Sequence, residues 1–121
     1  MPDVYNKDGG VFLVAEMGNK VVGIVGGEFK EESADGARTY ELRRMSVDSR
    51  VRGRGLGKRL VRALEETLDR PSKLFLKCSN AQFAAHALYR GQGFELKEAT
   101  PLFPPTSFNV LLFEKTYSNT K

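Results

Sequence analysis

Between Val51 and Arg59 the chain reads Arg52-Gly53-Arg54-Gly55-Leu56-Gly57-Lys58, three glycines alternating with basic and apolar residues. Such alternation leaves backbone N–H groups uncovered by Cβ atoms, so an approaching ligand meets the peptide itself. Where a helix opens at the same place, its first N–H groups have no internal partner and its dipole adds partial positive charge. The combination is an anion cradle. Arg50, Arg52, Arg54 and Lys58 surround it with donors suited to phosphate.

Three known phosphate cradles compete for this segment. A nucleotide P-loop requires a hydroxyl residue directly after its lysine to hold magnesium, and Arg59 follows Lys58 instead. A dinucleotide turn requires Gly-x-Gly-x-x-Gly, a spacing that Gly53, Gly55 and Gly57 do not have. The pattern Arg/Gln-x-x-Gly-x-Gly/Ala is met by Arg52, Gly55 and Gly57. A purely structural reading, a glycine-softened helix start edged by solvated arginines, stands beside it.

The elements around the cradle agree with a ligand site. Val11–Ala15 and Val21–Gly27 are apolar, rich in β-branched residues and joined by the turn-like Met17-Gly18-Asn19-Lys20, which predicts a hairpin. A polar loop, Lys30–Arg38, leads to a third strand, Tyr40–Val47. Leu56, Leu60, Val61, Leu64 and Leu68 then recur at helical spacing, and Asp69-Arg70-Pro71 ends that helix. A strand over Lys73–Cys78 follows. Ser79 or Asn80 is placed to cap a second helix, Ala81 to about Arg90, closed by Gly91 or Gly93. Strands near Phe94–Lys97 and Phe108–Lys115 flank the proline-rich loop Leu102-Phe103-Pro104-Pro105. The order β-β-β-α-β-α-β-β predicts an α/β mixed sheet flanked by helices. Its central strands, ending at Val47 and starting at Lys73, run parallel through a right-handed crossover, with the ligand at their C-terminal ends.

Bulk properties set limits. At 121 residues, 40% hydrophobic and 28% charged, the whole chain, 1–121, reads as one globular domain. The net charge of +4 is modest and gathered at Arg50, Arg52, Arg54, Lys58, Arg59 and Arg62, which favours an anionic ligand over a general polyanion binder. No nucleic-acid partner is expected, because no stacking aromatics flank that turn. No apolar run is long enough to span a membrane and no signal-peptide core opens the chain, so a cytoplasmic location is the expectation. The single cysteine, Cys78, lies in an apolar run and reads as a buried small hydrophobe. His86, the one histidine, has no neighbouring ligand residues, so no metal is expected. A homodimer is compatible with all of this.

The segment Leu42–Lys58, followed by Ser79-Asn80, Ala87-Leu88-Tyr89 and Gly93-Phe94, resembles the GNAT superfamily of N-acetyltransferases in order and spacing. Leu76–Phe94 is similar, more narrowly, to the camello-like N-acetyltransferases. The resemblance implies an acetyl-CoA-dependent N-acetyltransferase that moves an acetyl group to a primary amine of a small molecule, peptide or protein, by direct attack in a ternary complex. It places the pyrophosphate of coenzyme A in the turn Arg52, Gly53, Arg54, Gly55, Leu56, Gly57 and Lys58. Pantetheine then lies along the backbone of Met45, Ser46 and Val47 as an added strand does. Asn80 matches an amide that contacts pantetheine, although a helix cap looks identical. Tyr89 matches the tyrosine that donates a proton to the coenzyme A sulfur, against a plain core aromatic. Glu41 stands in the register of a glutamate general base, against an ion pair with Arg43 on the same strand face. A bulge in the Tyr40–Val47 strand would open the slot.

The same resemblance implies one more strand and one or two helices ahead of Val11 that help form the acceptor pocket. Only ten residues precede that point, so the N-terminal helical region is expected to be shortened or absent, in a shortened member or in part of a longer parent. Camello-like relatives also carry a membrane-associated segment upstream, which bears on location. Two rivals remain at this stage: a GNAT-like module that holds coenzyme A without turnover, and a basic domain that binds nucleic acid through Arg50–Arg54.

Overall fold

The computed structural model describes residues 2–7, 10–79, 82–101 and 109–118. Strands β1 (Pro2–Lys7), β2 (Gly10–Met17), β3 (Lys20–Glu32) and β4 (Arg38–Val47) are successive antiparallel neighbours. A 3-10 turn, Ser49–Val51, leads through the glycines into α1 (Leu56–Thr67). Then come β5 (Ser72–Ser79), α2 (Phe83–Gly91), β6 (Glu95–Pro101) and β7 (Asn109–Tyr117). The strands form one sheet in the order β1-β2-β3-β4-β5-β7-β6. Only β4 and β5 pair in parallel among the described strands, as a crossover through α1 requires.

The expected mixed sheet flanked by helices is present, extended by one strand. β1 escapes a reading of periodicity because Pro2-Asp3-Val4-Tyr5-Asn6-Lys7 has little apolar alternation and pairs with β2 through its backbone as an edge. β3 runs on through Glu28–Glu32 for the same reason, since Arg38, Thr39, Tyr40 and Glu41 supply its ladder partners. α2 begins at Phe83 rather than Ala81, and Gln82 occupies the N-cap instead of Ser79. The Gln82 side chain turns back, its Oε1 accepting from the Ser79 backbone N–H at 2.8 Å, and so ties the helix start to the end of β5. Asn80 and the loop Leu102–Pro105 lie outside the described residues.

α1 buries Leu60, Val61 and Leu64, one stripe of an otherwise basic helix, against β2, β3 and β4. Burying each such side chain contributes roughly 1.5–3 kcal/mol. The sheet side of this layer holds Leu13, Val25, Tyr40, Leu74 and Phe113, each at most 2% exposed. At the far end of α2, Gly93 takes φ +91°, its N–H donating to Arg90 O and that of Phe94 to Tyr89 O. This is a Schellman ending, and its accompanying apolar contact is the edge-on packing of Phe94 against Tyr89, ring centroids 5.6 Å apart. Among the described residues no helix is long and apolar enough to cross a membrane.

Close approach of α1 to β3 depends on Gly23. A Cβ there would lie 2.8 Å from Leu60 Cδ1, and Leu60 is 1% exposed, with nowhere to move. Gly23→Val is therefore expected to lower unfolding free energy by about 1–3 kcal/mol, read from the urea midpoint at unchanged slope.

Candidate functional site

The parallel pairing of β4 and β5 stops early. Arg38 to Glu41 pair with Ser72 to Phe75, and beyond these four steps neither strand bonds to the other. On the opposite edge of β4 the ladder to β3 runs through Arg43↔Gly26 and then Ser46↔Ile24, so that Arg44 and Met45 together face Val25. That is a β-bulge, and Arg44 carries its strain at φ +58°, the one described non-glycine residue with positive φ. The bulge bends β4 away from β5.

Into the gap opens a cleft of about 420 Å³. Glu41 to Met45 form one wall, Leu76 to Cys78 the other, and Gln82, Ala85, Leu88 and Tyr89 of α2 close it. Tyr89 is 5% exposed, packed on Phe94 and near Phe113, its ring centroid 6.5 Å from that of Phe113. Burial, reinforced by the neighbouring Cys78, pushes its phenol up to about 12, so the hydroxyl holds its proton at neutral pH. Burial likewise raises the Cys78 thiol, which leaves it a poor nucleophile and agrees with its reading as a small core residue.

The glycine-rich turn adjoins the same cleft. Gly53 and Gly55 adopt φ +83° and +75°, and nothing lies within 4 Å of where a Cβ would stand at either. The turn therefore presents open backbone to solvent at the start of α1. Gly57 serves a different end: a Cβ there would stand 3.3 Å from Met45 Cε and 3.5 Å from Leu88 Cδ2, both on the cleft wall, so the head of α1 packs against that wall. It joins turn to cleft.

The basic residues divide. Arg52 Nε donates to Val47 O at 3.1 Å, bracing the end of β4 against the turn. Arg50 is held by Asp48, through Nε at 3.1 Å and Nη2 at 2.8 Å, so it belongs to the brace rather than to the cradle. Lys58 is exposed on the first turn of α1, while Arg54 lines a separate apolar groove with Leu56, Arg59 and Leu60. Ser46 and Val47 lie in the ladder with β3, Met45 in the cleft wall.

Glu41 reaches the cleft, where the strands part. Its alternative partner Arg43 pairs instead with Glu28 at 3.0 Å, and Glu41 pairs with Lys30 at 3.3 Å. Both pairs are diagonal ones across the β3–β4 ladder, where Glu28 stands opposite Glu41 and Gly26 opposite Arg43, so each carboxylate finds its cation on the neighbouring strand. His86 is half-buried on α2, its Nε2 2.9 Å from Ser79 O. Arg44, Lys77 and Gln82 line the cleft without belonging to a sequence motif of their own, and only the bulge and the start of α2 bring them to one slot.

The model of the acetyltransferase (GNAT) family matches residues 1–94. N-acetylaspartate synthetase of Danio rerio is 42% identical over 118 residues, 92% of this chain and 40% of the relative. N-acetyltransferase family 8 member 2 of Rattus norvegicus is 41% identical over 88 residues, 71% of this chain and 39% of the relative. The chain thus spans about two fifths of those relatives' lengths. Among solved structures, a putative streptothricin acetyltransferase from Bacillus anthracis in complex with acetyl coenzyme A superposes with a TM-score of 0.71 at 19% identity, covering 93% of this chain and 65% of that one.

The Asp48–Arg50 brace yields a pH prediction. Hydrogen bonds and charge from Arg50 depress the Asp48 carboxyl from 3.8 to about 2. A depressed folded-state value adds stability that is present above the unfolded value and is lost as pH falls through the folded one. NMR titration is expected to place Asp48 near 2 and Arg50→Gln to move it toward 3.8; the stability of Asp48→Asn should change less than wild type between these pH values.

Proposed function

Because the chain belongs to the acetyltransferase (GNAT) family, we propose that it is an acetyl-CoA-dependent N-acetyltransferase acting on a primary amine by direct attack in a ternary complex. The observation that carries this reading is the junction of an open glycine turn with a parted-strand cleft that ends on a buried, protonated tyrosine. The pyrophosphate lies against Gly53–Lys58, with Lys58 as cation and the helix start as donor of N–H groups. Pantetheine follows the exposed backbone of β4 from Val47 toward Met45. The thioester then stands beside Tyr89.

Attack by the amine nitrogen on the thioester carbonyl forms the C–N bond and breaks the C–S bond. Glu41, directly or through a water, receives the proton that the amine gives up. Tyr89 donates a proton to the leaving sulfur. A phenol near 12 is a weak acid in water, but the dry slot that raises it also raises the proton affinity of a thiolate, so donor and acceptor stay matched. Arg43, Arg44 and Lys77 line the same cleft, which favours an amine that also carries a carboxylate. The relative named N-acetylaspartate synthetase points the same way. A reducing cytosol suits a chain whose one cysteine is free and buried.

Calorimetric titration with acetyl-CoA and release of free thiol across a panel of amines test the reading. Binding is expected in the micromolar range, with turnover best for amino acids bearing a second carboxylate. Tyr89→Phe is expected to lower kcat by about 10²-fold or more while leaving acetyl-CoA affinity intact. Glu41→Gln is expected to lower kcat by about 10²-fold while leaving acetyl-CoA affinity intact. Binding without thiol release from any amine would instead make this a coenzyme A-holding module.

A further inference from the structure

Away from the cleft, one charged side chain is buried among the described residues: Glu65, on the inner face of α1 at 7% exposure. Its Oε2 accepts from Lys115 Nζ at 2.7 Å and from the Tyr117 hydroxyl. Lys115, on β7, also donates to Gln92 O, the cap of α2, at 2.6 Å. One ammonium therefore joins the carboxylate of the first helix to the end of the second.

An ion pair with one buried and one half-buried member adds little net stability, because desolvating the carboxylate offsets much of the attraction. What it adds is direction, since the ammonium fixes where the carbonyl and the carboxylate must stand. The clamp meets α2 where that matters. Lys115 Nζ is 5.9 Å from the centroid of Phe94, and its chain runs 3.4 Å from the Cβ position of Gly93, the left-handed residue of the Schellman ending. Phe94 in turn packs edge-on against Tyr89. At the cleft end the two helices also touch at Gly57 and Leu88, so they are tied at two points with Tyr89 between them.

We infer that Lys115, through Glu65 and Gln92 O, is a positioning residue for Tyr89: it sets the reach of the tyrosine hydroxyl into the cleft relative to the cradle at the head of α1. This rests on Tyr89 being the proton donor. Lys115 touches neither cradle nor cleft lining, so it acts only through the α2 ending.

The test compares wild type, Lys115→Met, and Lys115→Met with Glu65→Gln, the last leaving no unpaired buried charge if the single variant folds poorly. Each is made with Tyr89 and with Tyr89→Phe. The expected result is a fall in kcat of about tenfold or more with the KM for acetyl-CoA within about twofold, and no further fall when Tyr89 is already phenylalanine. In protein carrying ring-labelled tyrosine, the Tyr89 NMR signal, identified by its loss in Tyr89→Phe, is expected to shift in the double variant. Unchanged kcat, or losses that multiply with that of Tyr89→Phe, would overturn the clamp and leave the proton-donor reading standing. If Tyr89→Phe itself leaves kcat intact, the proton-donor reading falls, and the NMR signal decides the rest: a shifted Tyr89 upholds the positioning, an undisturbed one overturns it.

Discussion

Everything about the site depends on one strand refusing to stay paired. β4 is bonded along its length to β3 and for only four steps to β5, and the bulge at Arg44 and Met45 is what separates the two regimes. A parallel pair that continued would bury its backbone groups in its own ladder and leave no slot. By parting, β4 leaves those groups on its β5 side out of the ladder and opens the cleft. The strain at Arg44 is local and is held by the long β3 ladder on the other edge, the kind of over-determination that lets an unfavourable backbone angle persist.

The cradle and the cleft would be two unrelated surface features if α1 and α2 were free to move apart. They are not. Gly57 brings α1 into contact with Met45 of β4 and Leu88 of α2 in one place, so that turn, strand and second helix share a joint. Gly53 and Gly55 have no such neighbours, and their openness affects only what reaches the turn from outside. All three glycines fall in one short motif, yet they answer different constraints: two a positive φ, one a close approach.

Which parts were legible in the sequence follows from how local their causes are. α1, its basic outer face and the turn before it are written in a 3.6-residue period and a glycine pattern, both readable within a dozen residues. The parallel β4–β5 crossover follows from that helix and needs no further information. β1, the outer half of β3 and the far half of β6 were not legible, because polar edge segments are held by backbone pairing that carries no apolar signature. The bulge was invisible for a stronger reason: arginine, not glycine, takes the left-handed angle there. The pairing of Glu41 with Lys30 rather than Arg43 is a matter of register between two strands, which no single-strand pattern encodes.

The same register makes the two sides of β4 chemically unlike. Tyr40 and Leu42 point into the core beneath α1, while Glu41 and Arg43 alternate with them and enter a ladder of opposite charges with Glu28 and Lys30. A carboxylate in that ladder is never alone: Lys30 bridges Glu28 and Glu41, so neutralising one member redistributes the hold on the next. Anything that reaches Glu41 in the cleft therefore meets a carboxylate already engaged by Lys30, so its charge is set by the strand face as a whole and not by the cleft alone.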